Sequence, residues 1–209
     1  MRHVAIVIFD DVEVLDFCGP FEVFAVCGRR SKGAEAPFDV HTVAETARPI
    51  FARHKLSVTP THAFDDPNAP RGDIVLVPGG FGTRRELRNP VMLDWVRRAS
   101  AKAELLLSVC TGSLILGAAG LLDGLEATTH FAAYDELHSA APACRVRRDM
   151  RYVDTGRVIT SAGVSAGIDM ALHVVARLHG DDVARETARY MEYEGNFTMA
   201  ERTVAVHRP

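Results

Sequence analysis

LLLSVCTGSLILGAAGLL, residues 105–122, is the stretch that decides the fold. Its first five residues form an apolar run without alternation, which is typical of a strand buried on both faces and therefore of a parallel sheet covered by helices. The strand stops at Cys110, and we expect a helix over 113–122 to follow at once. The stretch thus predicts a buried strand, a sharp turn and a helix in direct succession.

Similar runs recur on both sides of this stretch. Four more are predicted as buried strands: 4–9, 38–43, 74–77 and 158–160. Helical patterns, caps and a first-turn proline predict helices between and after them, over 20–30, 90–102, 132–140, 165–179 and from Asp181 or Asp182 to 193. Two shorter pieces, 56–59 and 151–155, are expected as small hairpins or edge additions. Alternation of buried strand and helix predicts a doubly wound α/β fold with helices on both faces of a mostly parallel sheet.

Composition narrows the class of protein. The 209 residues carry 24 Lys or Arg and 27 Asp or Glu, a net charge of −3, and 47% are hydrophobic. These values predict one globular domain over 1–209 and argue against a nucleic-acid binder, which usually carries a basic stripe. Cysteines at 18, 27, 110 and 144 show no CxxC spacing, which favours free thiols in a reducing compartment. The apolar run 4–9 is too short for a signal peptide or a membrane span, so we expect a cytoplasmic protein without a membrane partner.

The sharpest candidate for chemistry is Cys110. Ligands of an open parallel sheet bind beyond the carboxyl ends of its strands, which here selects four segments: 10–19, 78–82, 110–113 and 130–131. A nucleophile elbow crowds the positions two before and two after the nucleophile, and these are the small Ser108 and Gly112. A helix N-terminus favours an anion, so we expect a lowered thiol pKa and a thiolate at Cys110. The alternative, a buried cysteine that only fills space, is preferred for Cys18, Cys27 and Cys144.

Asp16 and two glycines are candidates for the same site. Asp16 follows the first strand and could be a turn or cap residue, or a carboxyl that reaches Cys110. Two close anions repel, so in the second case Asp16 would hold a proton and act as a general acid towards the thiolate. Gly79 and Gly80 could present backbone N–H groups to a ligand as in an oxyanion hole, or form an ordinary turn.

Thr111 and His130 complete the set of candidates. Thr111 could aim its hydroxyl and N–H into the site or simply start the helix, and His130 could shuttle protons or cap and pack. The other histidines show no HxH or HExxH spacing, so no metal site is expected. Neither GxGxxG nor a Walker pattern occurs, which argues against a nucleotide enzyme.

Five sequence blocks together resemble the ThiJ/PfpI superfamily, and within it the isonitrile hydratase branch. They are LDFCGPFEV (15–23), VPGG (77–80), SVCTGSLILGAAGLL (108–122), ATTH (127–130) and AGVSAGID (162–169). The resemblance implies a flavodoxin-like, class I glutamine amidotransferase-like domain, usually a homodimer, without a cofactor. For the reaction, the resemblance implies that Cys110 attacks the terminal carbon of R–N≡C to form a thioimidate and that water then releases the N-formamide. For the other site residues, it implies that Asp16 is the acid/base and that Thr111 assists. It also implies that the N–H groups of Gly80 and Thr111 face the reacting centre.

Other functions remain open from the sequence. A CTGS-like elbow, an ATTH strand and an LDxxGP opening also occur in the sensor halves of AraC-type regulators, so a small-molecule or redox sensor is the alternative. The residues after the last predicted helix are too few for the DNA-reading module of those regulators. A structural or interaction role, with a vestigial site, is a third hypothesis. Glyoxalase and peptidase branches usually have a histidine after the elbow cysteine, where this chain has Thr111. Segment 193–197 lacks the proline-rich stretch that the hydratase resemblance leads us to expect.

Overall fold

A seven-stranded sheet forms the centre of the protein, and the computed structural model describes residues 1–28 and 36–195. The strands are β1 (Arg2–Val7), β2 (Phe38–Ala44), β3 (Ile50–Phe51), β4 (Ser57–Val58), β5 (His62–Ala63), β6 (Ile74–Val77), β7 (Leu105–Val109), β8 (Glu126–Ala127), β9 (Arg145–Val146), β10 (Tyr152–Asp154) and β11 (Val158–Ser161). The helices are α1 (Val14–Val26), α2 (Thr83–Glu86), α3 (Pro90–Lys102), α4 (Gly112–Ala118), α5 (Tyr134–Ala140), α6 (Ala166–His179) and α7 (Asp181–Tyr190).

The strand order of the central sheet is β10-β11-β7-β6-β1-β2-β5. Every neighbouring pair is parallel except β10 with β11 at one edge. Helix α4 packs on β6 and β7, while α6 packs on β7 and β11 and against α1. The fold is therefore doubly wound and mostly parallel, which confirms the predicted fold class.

Burial explains why the central strands were recognisable. Every residue of β6 and of β7 is buried, so these strands read as continuous apolar runs rather than as an alternation. Both match the predicted bounds. The predicted piece 56–59 contains β4, which pairs with β3 in an antiparallel hairpin, and 151–155 contains the edge strand β10. The short β5, β8 and β9 gave no clear signal in the sequence.

Helix α1 differs most from its prediction. It begins at Val14, six residues before the expected start, and Pro20 lies inside it. Proline inside a helix removes one backbone hydrogen bond, here the bond to the Asp16 carbonyl. Burial of Phe17, Val23 and Phe24 offsets that loss. The consequence is that Asp16 stands in the first turn of a helix and not in a loop.

The short helix α2 was not predicted, and the remaining helices differ from prediction only at their ends. A short 3₁₀ turn, Phe131–Ala133, precedes α5, while α4 and α7 end earlier than expected. The predicted helix end at 29–30, and positions 196–197 of the segment without prolines, lie outside the described residues.

Gly112, the first residue of α4, makes the close approach that the elbow needs. A Cβ at this position would overlap the Val77 carbonyl oxygen on the neighbouring strand. We expect Gly112→Ala to lower the free energy of unfolding by about 2 kcal/mol, because the displaced atoms are backbone and cannot rotate away. Urea denaturation measures this loss, and an unchanged midpoint would contradict the described packing.

Candidate active site

Three loops meet at the carboxyl edge of the sheet. They follow β1, β6 and β7, which are consecutive neighbours in the strand order. The loop after β1 is tied to the loop after β6, because Glu13 N donates to Gly79 O at 2.9 Å and Val12 bridges to Gly80. Strand pairing thus brings Asp16, the glycine turn and Cys110 to one place.

Cys110 occupies a strained turn. Its φ is +57°, a left-handed conformation that non-glycine residues rarely adopt. The backbone N–H of Cys110 donates to the carbonyls of Ser161 and Ala162, each at 3.1 Å. The side chain is buried, with 6% of the residue exposed. The predicted elbow geometry is confirmed: a sulfur held by a strained backbone directly ahead of a helix.

Asp16 is fully buried beside Cys110. Its Oδ2 accepts a hydrogen bond from Gly79 N at 3.0 Å. Its Oδ1 has no hydrogen-bond partner among the described residues, and the Cys110 thiol lies close enough to the carboxyl to lower the Asp16 pKa. Burial raises the pKa of Asp16 to about 7, against the opposing effects of the Gly79 N–H and the Cys110 contact. A carboxyl with this pKa exchanges protons near neutral pH.

The proton of the pair rests on sulfur. Burial, followed by the negative charge of Asp16, raises the pKa of Cys110 to about 12. The expectation of a lowered thiol pKa is therefore wrong: the N–H groups of Thr111 and Val164 lower it, but loss of solvent outweighs them. The pair accordingly consists of a thiol and a carboxylate above about pH 7, which is the reverse of the predicted thiolate with a protonated Asp16.

Val164 lies at the candidate site but was not among the predicted site residues. It follows β11, the strand beside β7, and its backbone N–H lowers the pKa of both Asp16 and Cys110. Its φ is +49°, which is an outlier for a β-branched residue. The rule that ligands bind beyond strand ends also applies to β11 and could have found this loop.

Thr111 is the centre of a small polar network. Its Oγ1 accepts from Gly80 N at 3.0 Å and bonds the Thr83 hydroxyl at 3.1 Å. The N–H groups of Gly79 and Gly80 are therefore occupied by Asp16 and Thr111. The expectation that these two N–H groups face a ligand is not met; they position two site side chains instead. A Cβ at Gly79 would lie 2.8 Å from Asp16 Oδ2, so only glycine fits there.

His130 lies at the rim of the site and not in its centre. Its Nδ1 accepts from Ala132 N at 3.2 Å, which caps the 3₁₀ turn, and its ring packs on Phe131 and Gly163. Burial, and then the charge of Arg84, lower its pKa. No hydrogen bond in the described part of the chain joins His130 to Cys110 or Asp16. His130 therefore caps the 3₁₀ turn, as one of the two predicted alternatives states. The other alternative, a proton shuttle, is not supported by a hydrogen bond between His130 and the pair among the described residues.

The remaining cysteines show no comparable environment. Cys18 is exposed, Cys27 and Cys144 are buried, and all four cysteines are free thiols. Loss of solvent around the sulfur, partial at Cys18, raises the pKa of each of these three thiols, and no carboxyl in the described part of the chain forms a hydrogen bond with any of them. Within residues 1–28 and 36–195, no group of three or more His, Cys, Asp or Glu is placed to hold a metal ion, and no helix has both the length and the apolar character to cross a bilayer.

A doubly wound α/β fold, with a cysteine on a strained turn after a central strand and a buried carboxyl beside it, defines a class of α/β proteins by fold and local geometry. Sequence comparison places the chain within that class: residues 2–177 match the model of the DJ-1/PfpI family. The chain belongs to this family, which confirms the predicted superfamily.

Individual relatives include enzymes and regulators. An isonitrile hydratase of Pseudomonas putida is 37% identical over 91% of this chain and 78% of its own length. The HTH-type transcriptional regulator CdhR of Pseudomonas aeruginosa is 33% identical over 69% of this chain, which spans only 42% of the regulator. A crystal structure of a ThiJ/PfpI family protein from Pseudomonas syringae superposes with a TM-score of 0.82 at 29% identity, over 96% of this chain and 81% of that chain.

Asp16 makes folding stability depend on pH. Its ordinary pKa of 3.8 rises to about 7 in the fold, so its contribution to stability is fully present below pH 3.8 and is lost as the pH rises through 7. The buried carboxylate then costs up to about 4 kcal/mol. We expect Asp16→Asn to raise the free energy of unfolding relative to wild type by about 2–4 kcal/mol at pH 8 and by much less at pH 4.

Urea denaturation at the two pH values measures this difference. Glu22→Gln, which removes an exposed carboxyl from the same helix, is the matched control and should change stability little at either pH. An Asp16→Asn variant that is less stable than wild type at pH 8 would contradict the described burial of the carboxylate.

Proposed function

We propose that the protein hydrates isonitriles, R–N≡C, to N-substituted formamides through a covalent thioimidate on Cys110. The observation that carries the proposal is the buried pair of Cys110 and Asp16, a nucleophile with its own proton acceptor in a strained turn. The relative named isonitrile hydratase supports the substrate class.

The first step adds the thiol across the isonitrile carbon. Asp16, as the carboxylate, takes the Cys110 proton while sulfur forms a bond to the terminal carbon, and protonated Asp16 then gives that proton to the same carbon. The product is Cys–S–CH=N–R, with no leaving group and no change of charge. Covalent catalysis divides a slow hydration into two easier additions.

The second step releases the formamide. Asp16 accepts a proton from water as the oxygen attacks the thioimidate carbon, and it then gives that proton to the nitrogen, which leaves the neutral intermediate Cys–S–CH(OH)–NH–R. The intermediate collapses with loss of the Cys110 thiolate, the proton of its hydroxyl group passes through Asp16 to the sulfur, and R–NH–CHO leaves. Overall, one isonitrile and one water molecule are converted to one formamide. The Asp16 pKa of about 7 allows this carboxyl both to accept and to donate a proton near neutral pH.

Neighbouring groups serve as positioning residues. Gly79 N–H orients the Asp16 carboxyl and Gly80 N–H orients Thr111. The N–H groups of Thr111 and Val164 interact with the sulfur and favour its anionic form, so they would stabilise the thiolate as it leaves.

Formamide production tests the proposal. We expect purified protein to convert an aliphatic or an aryl isonitrile to its N-formamide with many turnovers per chain, followed by chromatography. Cys18→Ser, which removes an exposed thiol outside the pair, is the control and should turn over like wild type. Absence of formamide from the wild-type protein would overturn the proposed activity.

The second candidate is a sensor whose Cys110 is modified once without turnover. The similarity to the regulator CdhR favours it specifically, because that similarity covers 69% of this chain. A sensor would show stoichiometric modification of Cys110 by an isonitrile or by peroxide, a change in partner binding, and no released formamide.

We also propose that the chain 1–209 acts as one domain and as a cofactor-independent homodimer in the cytoplasm, with a small molecule as its partner rather than nucleic acid or membrane. The family resemblance supports the dimer. Size-exclusion chromatography with light scattering measures it, and a monomeric mass at micromolar concentration would contradict it.

A further inference from the structure

A cleft lies away from Cys110, between the sheet and α3. Its volume is about 290 Å³, near the lower end of ligand pockets, so it suits a small ligand. Its floor includes Ala5, His41 and Val75, which are register partners on three adjacent strands. The small Ala5 between two larger residues leaves the space open.

Aromatic side chains form one wall of the cleft. Trp95 of α3 stacks on Phe64, with ring centres 4.5 Å apart and planes 14° apart. Trp95, Ala99 and Lys102 lie on one face of α3 because they are spaced four and three residues apart. A flat apolar surface therefore leads directly to a cation.

The mouth of the cleft carries positive charge. Arg71, Arg98 and Lys102 line it, and among the described residues Asp66 is the one carboxyl that does so. Asp66 is held by His62 at 2.7 Å, and Arg98 is paired with Asp94. Arg71 donates to the Lys102 carbonyl oxygen, and neither Arg71 nor Lys102 has a carboxylate partner within residues 1–28 and 36–195. Two cations at the mouth are thus available to an anion.

The floor holds an unsatisfied polar side chain. His41 is 4% exposed, and neither ring nitrogen has a hydrogen-bond partner among the described residues. Burial and the neighbouring His62 lower its pKa to about 4, so the ring is neutral and offers one donor and one acceptor. Buried polar groups are normally paired, so an unpaired imidazole lining a cleft is unusual.

We propose that this cleft binds a small organic carboxylate with a flat apolar body. The carboxylate lies between Arg71 and Lys102, the body lies against Trp95, and the buried end reaches the floor at His41. The site is separate from the Cys110 chemistry, and its existence does not depend on the proposed hydratase activity.

The test uses the only tryptophan of the chain, Trp95, as a fluorescent reporter. We expect benzoate to change the tryptophan emission saturably, with a Kd of about 1 mM or tighter, which is attainable for a ligand of about nine non-hydrogen atoms. Benzamide, which has the same shape without the charge, should bind at least about tenfold more weakly, because it cannot form the charge-assisted bonds.

Variants locate the binding. Lys102→Gln should weaken benzoate binding about tenfold or more, whereas Lys55→Gln, an exposed lysine elsewhere, should leave it unchanged. Cys110→Ala should bind benzoate like wild type, which separates this cleft from the active site. No saturable change up to 10 mM benzoate, equal binding of benzamide, equal binding by Lys102→Gln, or loss of binding in Cys110→Ala would each overturn the proposal.

Discussion

Replacement of Cys110 by serine or alanine is expected to lower the rate of isonitrile hydration by about a thousandfold or more. Both variants lose the sulfur that forms the thioimidate, and a serine hydroxyl is a much weaker nucleophile at neutral pH. Chromatographic measurement of the formamide at saturating isonitrile gives the rate. Circular dichroism and urea denaturation confirm that each variant is folded, which matters because residue 110 has a φ of +57°.

Cys144→Ser is the matched control for this prediction. Cys144 is also buried and free, and burial, followed by the charges of Asp123 and Glu126, raises its pKa, but no carboxyl among the described residues forms a hydrogen bond with its thiol. We expect the control to turn over within a few-fold of wild type. Hydration at equal rates in wild type and Cys110→Ala would show that the elbow cysteine is not the nucleophile.

Replacement of Asp16 by asparagine is expected to lower kcat/KM by about 100- to 10,000-fold, the usual contribution of a general base. Asparagine keeps the shape of the side chain and can still accept from Gly79 N–H, but it cannot take the thiol proton. The wild-type rate should rise with pH through about 7, because the carboxylate is the active form. The variant should lose this rise.

The same substitution separates catalysis from folding. Asp16→Asn is expected to be more stable than wild type at pH 8, so a loss of activity there cannot come from unfolding. A variant that keeps more than a tenth of the wild-type rate, or that keeps the rise near pH 7, would contradict the role of Asp16 as the base.

The central strands and the elbow were predictable because both depend on short stretches of sequence. A strand that is buried on both faces of the sheet is a continuous apolar run in the sequence. The small residues Ser108 and Gly112 on either side of Cys110 reflect steric crowding at the turn. The start of α1 was not predictable in this way. The six residues of α1 that precede Pro20 are helical because tertiary packing buries Phe17. The helix propensities of the individual residues do not include this packing.

The electrostatics of the site could not be predicted from motifs. A helix N-terminus favours a thiolate, but the depth of burial decides the Cys110 pKa, and burial depends on the whole fold. Gly79 and Gly80 were correctly placed beside the site, but only coordinates show that their N–H groups serve Asp16 and Thr111. No sequence motif indicates the cleft between the sheet and α3, because the residues that line it come from five separate segments of the chain.

Intact-protein mass spectrometry during turnover tests the central claim most directly. With about one equivalent of isonitrile, we expect a species heavier than the protein by the full mass of the isonitrile, because the addition has no leaving group. Peptide mapping should place it on Cys110, and it should decay as formamide appears. Asp16→Asn should form the adduct slowly, and Cys110→Ala should not form it. Formamide released without any adduct on Cys110, or an adduct that never decays, would contradict a catalytic Cys110–Asp16 pair.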